Sequence, residues 1–247
     1  MSEFKFPSEV IELPSKGLVY PEDNPLSSGT VEMKYMTAKE EDILTNQNYI
    51  KSGLVLDKLL QSLIISKIDY NDLIVGDKNA LLVAARILGY GKDYKIKFKE
   101  EEVNIDLSTL DNKLVDESLF TKGKNEFEFT LPNSGTVITW KILTHRDEQT
   151  VDKELAALRR INKNNVPELS MRLKHIITSV NGDSETKTIR DFVDNYLLAM
   201  DSRALRKHIS EFQPDIDMNT KVELSNGTEE DVEVPISINF FWPDLNL

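Results

Sequence analysis

Ser28-Gly29-Thr30-Val31, leading into Glu32-Met33-Lys34-Tyr35-Met36-Thr37, returns later as Ser134-Gly135-Thr136-Val137, leading into Ile138-Thr139-Trp140-Lys141-Ile142-Leu143-Thr144. The second copy carries one inserted residue. Val31, Met33 and Tyr35 alternate along the first stretch, and Ile138, Trp140 and Ile142 alternate against Val137, Thr139 and Lys141 along the second, the period of a pleated strand. Each stretch then reaches a threonine with an acid three residues on, Thr37 with Glu40 and Thr144 with Asp147. The hydroxyl caps a helix amide and the carboxylate favours the positive helix end, so a strand feeding a helix is expected twice.

The repetition extends beyond these letters. Asp77-Lys78-Asn79-Ala80-Leu81 returns as Asp201-Ser202-Arg203-Ala204-Leu205, and each pentad is followed, after a helix, by a candidate strand pair. These pairs are Lys95 to Phe98 with Val103 to Leu107, and Lys221 to Leu224 with Asp231 to Ile236. Matched elements in one order imply an α+β chain of two tandem related subdomains, each running strand, helices and β-hairpin, arranged as an internal duplication. So long a period lies outside the solenoid range. The expected divisions are an extended N-terminal arm over 1–27, a first repeat over 28–122, and a second over 123–247 with an aromatic C-terminus.

Composition narrows the function classes. The 247 residues hold 42 acids against 30 Lys and Arg, a formal charge of −12, which disfavours generic binding to nucleic acid or anionic membranes. Cysteine is absent, which removes disulfides and thiolate metal sites. The N-terminus MSEFKFPSEVIELPSKG lacks an apolar run behind a basic start, and no window reaches the length of a membrane span, so a soluble, unprocessed protein is expected.

Pro7, Pro14, Pro21 and Pro25 with Gly17 argue against a regular element in the arm, whose apolar residues predict packing on its own domain. Helices are expected from about Ala38 to Asn48, over the Leu56–Ile64 stripe after Gly53, and from Asp77 as a cap to Gly89 and Gly91. Others are expected from about Arg146 to Asn162, and over a stretch burying Leu169, Leu173, Ile176, Ile177 and Val180. Thr188 with Asp191 opens the next, with Ile189, Phe192, Val193, Tyr196, Leu197 and Met200 at helical spacing. Asp201 begins the last, which buries Leu205, Ile209 and Phe212 before Pro214.

The sequence holds no nucleophile with its base, no paired carboxylates in an apolar setting and no phosphate loop. Gly89-Tyr90-Gly91-Lys92 ends a helix instead of opening one. His145, His175 and His208 lie far apart, and none pairs with another at the spacing of a helical metal site. Arg86 reads as a snorkelling or salt-bridged side chain, and the acidic clusters as solvated turns and a helix start. No catalytic residue, cofactor or metal is expected. The unusual local feature is Phe240-Phe241-Trp242-Pro243, because three consecutive aromatics cannot share one face of a strand. They either plug the seam between the halves or anchor a partner. Under the anchor reading, Phe240, Phe241, Trp242 and Pro243 act with Leu13, Pro14 and Tyr20 of the arm.

Leu13-Pro14-Ser15-Lys16-Gly17 with Tyr20-Pro21, Tyr35-Met36-Thr37-Ala38-Lys39-Glu40-Glu41, Gly53 with its Leu-rich helix, Asp77 through Gly91, Asp106-Leu107-Ser108 and the terminal aromatics carry a resemblance. Over nearly its whole length the chain resembles the baseplate hub assembly proteins of T-even-like tailed phages. The resemblance implies a non-enzymatic assembly factor or chaperone that binds baseplate hub proteins in the cytoplasm of the infected bacterium. It implies no cofactor and no nucleic-acid or membrane partner, and it leaves self-association open. The alternative is a structural subunit retained in the mature hub. Many members of that family carry Cys-x-x-Cys knuckles in the turns after the helices. Here those turns read Lys99-Glu100-Glu101-Glu102 and Ser225-Asn226-Gly227-Thr228, so both hairpins are expected to hold without metal.

Overall fold

The computed structural model describes residues 7–161 and 166–241, and its architecture is α+β. Ser8–Glu12 (β1) pairs antiparallel with Thr30–Lys34 (β2), Ile11 opposite Val31. Val31 and Met33 enter the core while Thr30, Glu32 and Lys34 stay half-buried, the alternation the sequence predicts. The arm therefore contains a strand, against expectation. Its prolines permit this because Pro7 precedes β1 and Pro14 comes after it, so no ladder donor is lost. The connection from β1 to β2 folds back on itself at Gly17, where φ is 77° and a Cβ would stand 2.4 Å from the Ser27 carbonyl oxygen.

Thr37 opens Ala38–Leu44 (α1), with Glu40 Oε2 accepting from Thr37 N at 3.0 Å and Thr37 Oγ1 at 2.6 Å. The other carboxylate oxygen accepts from Lys34 at 2.8 Å and Ser62 at 2.7 Å. Burial pushes this carboxyl up, but Lys34, Thr37 and Ser62 outweigh it and hold it at about 2. The helix expected through Asn48 is in fact two, because Asn46 caps a new one, Gln47–Ser52 (α2). Val55–Leu63 (α3) buries Val55, Leu59, Leu60 and Leu63 on one face. Val75–Tyr90 (α4) is capped by Ile74, one turn's approach before Asp77, so Asp77 is free to turn inward. Asp93–Phe98 (β3) and Glu101–Asp106 (β4) form the expected hairpin.

The link after β4 is irregular, as expected, but it is tied down. Phe120 is buried, Lys113 N donates to Asp215 O at 2.8 Å, and Gly123 N donates to Leu18 O at 2.8 Å. Phe127–Thr130 (β5) pairs with Val137–Trp140 (β6), Phe129 opposite Ile138. His145–Ile161 (α5) and Glu168–Ile176 (α6) come next. The helix expected to bury Ile177 and Val180 stops at Ile176; Ile177–Val180 (β7) leaves it and adds a third strand beside β6. Then come Thr186–Asp191 (α7), Ala199–Phe212 (α8), the hairpin of Asn219–Glu223 (β8) with Glu229–Glu233 (β9), and Ile238–Phe241 (α9).

Contacts recur at matched positions. Helices α3 and α6 both have nine residues; the next residue, Ile64 or Ile177, pairs with buried Met33 of β2 or Trp140 of β6. Lys141 and Thr144 hold Asp147 as Lys34 and Thr37 hold Glu40. Ile74 and Leu198 cap α4 and α8 in the same extended conformation, φ −74° and ψ 159° against φ −63° and ψ 143°. The third residue of each helix is a buried aspartate. Asp77 accepts from Ser15 N (3.0 Å), Ser15 Oγ (2.7 Å) and the Tyr20 hydroxyl (2.6 Å). Asp201 accepts from Asn133 N (2.8 Å), Asn133 Nδ2 (2.8 Å) and Ser134 N (3.0 Å). Ser15 and Asn133 each stand after a buried leucine and a proline, Leu13-Pro14 and Leu131-Pro132.

Most buried residues of both halves form one continuous cluster, with Phe120, Phe127, Trp140 and Phe212 as an aromatic centre; Val151, Leu155 and Met171 form a second, smaller one. At the junction of the halves Ile74 bridges Thr144, and His145 N donates to Leu73 O at 2.8 Å.

Burial raises the Asp77 carboxyl from its ordinary 3.8 to about 6, against the pull of Tyr20 and Ser15. A folded value above the unfolded one means stability that is fully present below about pH 4 and lost as pH rises through about 6. In urea denaturation, the stability of the parent relative to Asp77→Asn should therefore fall by about 3 kcal/mol between about pH 4 and 7. A difference independent of pH would show that this carboxyl does not titrate in that range.

Candidate partner-binding groove

Periodicity alone carries one helix stripe from Ile189 through Met200. The backbone does otherwise. Helix α7 gives way at Asp191 to a π turn over Phe192–Tyr196, and Leu197 N closes it on Phe192 O at 2.8 Å. Leu197 and Leu198 are then extended, and α8 starts afresh at Ala199. Phe192 and Val193 stay buried, but the break resets the phase of the side chains beyond it: Tyr196 is 65% exposed, Leu198 50% and Met200 69%. Tyr196 and Met200, expected in the core, stand at the surface.

Across from this corner, Val166 and Pro167 lead into α6. Leu169, expected to be buried, is 48% exposed. Between the two lies a groove of about 530 Å³, walled by Val166, Pro167 and Leu173 on one side and Val193, Leu197 and Ala199 on the other. Ser170 and Ser202 also line it, with Glu168, whose carboxylate is engaged by Arg159. Exposed apolar side chains beside a concave apolar surface mark a candidate interaction site.

The residues expected to anchor a partner lie elsewhere. Leu13, Pro14, Tyr20, Phe240 and Phe241 are all buried in the chain's own packing. The Tyr20 hydroxyl donates to Asp77 and accepts from Ile74 N at 3.1 Å. Phe240 packs edge-on against Tyr94, ring centroids 5.0 Å apart, and its carbonyl accepts from Arg86 Nε at 3.0 Å. The C-terminal segment of the second half thus docks on α4 of the first, as the seam reading has it. Trp242 and Pro243 lie outside the described residues. Arg86 also donates to the carbonyls of Gly91 and Asp93, so it ties the end of α4 to its hairpin and to α9.

One polar cluster is buried at the junction of the halves. Lys78 Nζ donates to Asp57 Oδ1 at 2.8 Å and lies 3.2 Å from His145 Nδ1; the Tyr70 hydroxyl donates to Asp57 at 2.7 Å, and the Tyr70 ring meets the imidazole edge-on at 4.8 Å. Burial, then the Lys78 charge, keep His145 below its usual pKa. A neutral ring accepts at Nδ1 from Lys78, so the cluster ties α5 to α3 and α4. Among the described residues no group of three or more His, Cys, Asp or Glu is placed to hold a metal ion, and no helix is long and apolar enough to cross a membrane.

No protein-family model matches the chain, and neither any curated protein nor any solved structure matches it.

The exposure of the groove rim has a consequence for stability. Tyr196→Ser and Met200→Ser should each change the unfolding free energy in urea by less than about 0.5 kcal/mol. Val193→Ala, at a buried position lining the groove, should cost about 2 kcal/mol. A large loss from either rim substitution would mean that the rim is packed.

Proposed function

We propose that the chain is a non-enzymatic assembly factor for the baseplate hub of a T-even-like phage, acting in the cytoplasm of the infected bacterium by binding hub proteins. The observation that carries this reading is the exposed apolar surface of Leu169, which lines the groove between α6 and α8, and of Tyr196, Leu198 and Met200 on the segment that leads into α8. An assembly factor needs such a surface, one that covers apolar area of a subunit until its permanent neighbour arrives. The resemblance to hub assembly proteins supports the choice of partner. Its motifs fall where this fold is pinned: Leu13 to Gly17 in the loop held by Asp77, Thr37 to Glu40 at the start of α1, and Asp77 itself. The recurrence of contacts at matched positions supports internal duplication as the origin of the two halves.

Immobilised chain should retain purified phage baseplate hub subunits, and Leu169→Glu, at an exposed position in the groove lining, should weaken that binding at least about tenfold while leaving the melting temperature within about 2 °C of the parent. Retention unaffected by Leu169→Glu would remove the groove from the reading. Stoichiometric amounts of the chain in purified mature baseplates would replace the assembly factor with a retained structural subunit.

A further inference from the structure

The groove stands, in the second half, at the position that His145 fills in the first. Asp57 is the third residue of α3 and Ser170 the third of α6; Lys78 is the fourth of α4 and Ser202 the fourth of α8. Lys78, itself held by Asp57, meets the His145 ring at Nδ1, whereas Ser170 and Ser202 line the groove. The main chain agrees. Leu73 and Ile74, just before α4, are covered by the segment entering α5, through the Ile74–Thr144 bridge and the bond from His145 N to Leu73 O. Leu197 and Leu198 are in the same extended conformation before α8, but there Leu197 lines the groove and Leu198 is half exposed.

We propose that this groove receives the first turn of a helix from a partner protein. The helix enters from an extended segment, as Leu143-Thr144-His145 enters α5, and places a bulky apolar side chain where His145 stands in the first half. The inference rests on the reading of the chain as a protein-binding factor and names what is bound. Two serines in place of Asp57 and Lys78 leave an imidazole without its charged partners, while Leu173, Val193 and Leu197 favour an apolar occupant. A second copy of this chain is the poorer fit. Its first half offers Ala38 after Thr37 where the second offers His145 after Thr144, and a methyl group does not fill the slot.

The probe is a fluorescent peptide copying residues 141–161 of this chain, in its natural sequence and with His145→Leu, titrated against the full-length protein and read by anisotropy. The leucine peptide should bind about tenfold tighter than the natural one, a gap of about 1.4 kcal/mol. Leu169→Glu, in the groove lining, should abolish binding of both. Ser170→Asp/Ser202→Lys, which installs the polar pair of the first half, should reverse the preference. Ser170→Asp alone, at a half-buried position, should narrow it if the double variant fails to fold by circular dichroism. Equal affinities, no binding of either peptide, or a preference indifferent to these serines overturns the inference. So does self-association in sedimentation velocity that Leu169→Glu abolishes, which would make a second copy the occupant. The hub reading fails separately: peptide discrimination with no hub subunit retained sinks that reading alone, and hub retention by the Ser170→Asp/Ser202→Lys variant at parental affinity sinks this one alone.

Discussion

A carboxylate buried in the first turn of a long helix governs how each half is assembled, and it occurs twice. Burying an ionised group is unfavourable unless donors fill its lone pairs, so Asp77 and Asp201 oblige a loop to come to them. Ser15 and Tyr20 meet Asp77, and Asn133 and Ser134 meet Asp201. Each loop leaves a strand whose last neighbours are a buried leucine and a proline, so satisfying the carboxylate also fixes the small sheet against the helix. The two sites are tuned differently. For Asp77 burial prevails over two hydroxyls and one amide, with Asp215 adding repulsion, and the carboxyl titrates high; for Asp201 burial is outweighed by Asn133 and Ser134, and the carboxyl titrates low.

Much of this fold is legible in the letters. The alternation in β2 and β6, the acid three residues after Thr37 and Thr144, and both C-terminal hairpins are dictated by period and capping chemistry. Three features are not. β1 hides among prolines that happen to flank it. Ile177–Val180 is short, and its apolar residues Ile177 and Val180 continue the helical spacing of Leu173 and Ile176, so period cannot separate it from the end of a helix. The repeated Ser-Gly-Thr-Val is itself one residue out of step with the pleat: Val31 is buried, whereas Val137 is half-buried and Ile138 takes its place. A slip of one residue moves every side chain to the other face, so letter identity misaligned the strands that the burial pattern aligns.

The groove was less legible than the fold. Ile189 through Met200 keeps helical spacing, and neither glycine nor proline marks the break at Leu197-Leu198. A π turn needs no special residue, so Tyr196 and Met200 read as core. One signal was present. The repeated pentad starts a helix at Asp201, immediately after the stripe, and two helices cannot abut without a connection. Placing that connection before Asp201, as Ile74 lies before Asp77, turns the preceding apolar residues outward.

The two matched corners differ in a way that their occupancy explains. The corner of the first half is filled by a segment of the same chain, always present at high effective concentration, so it tolerates Asp57, Lys78 and His145 packed with little water. Should that segment leave, a charged pair would lose its histidine, and the cost would fall on stability. A site that opens to solvent and closes on a separate molecule meets that cost on every cycle, because charged groups desolvated on binding must find partners each time. Leucine, valine and serine avoid it. Their apolar surface gains on burial, and two hydroxyls lose little when the groove empties and water returns. Two serines at the groove, where the first corner has an acid and a base, would suit the reversible docking proposed for it.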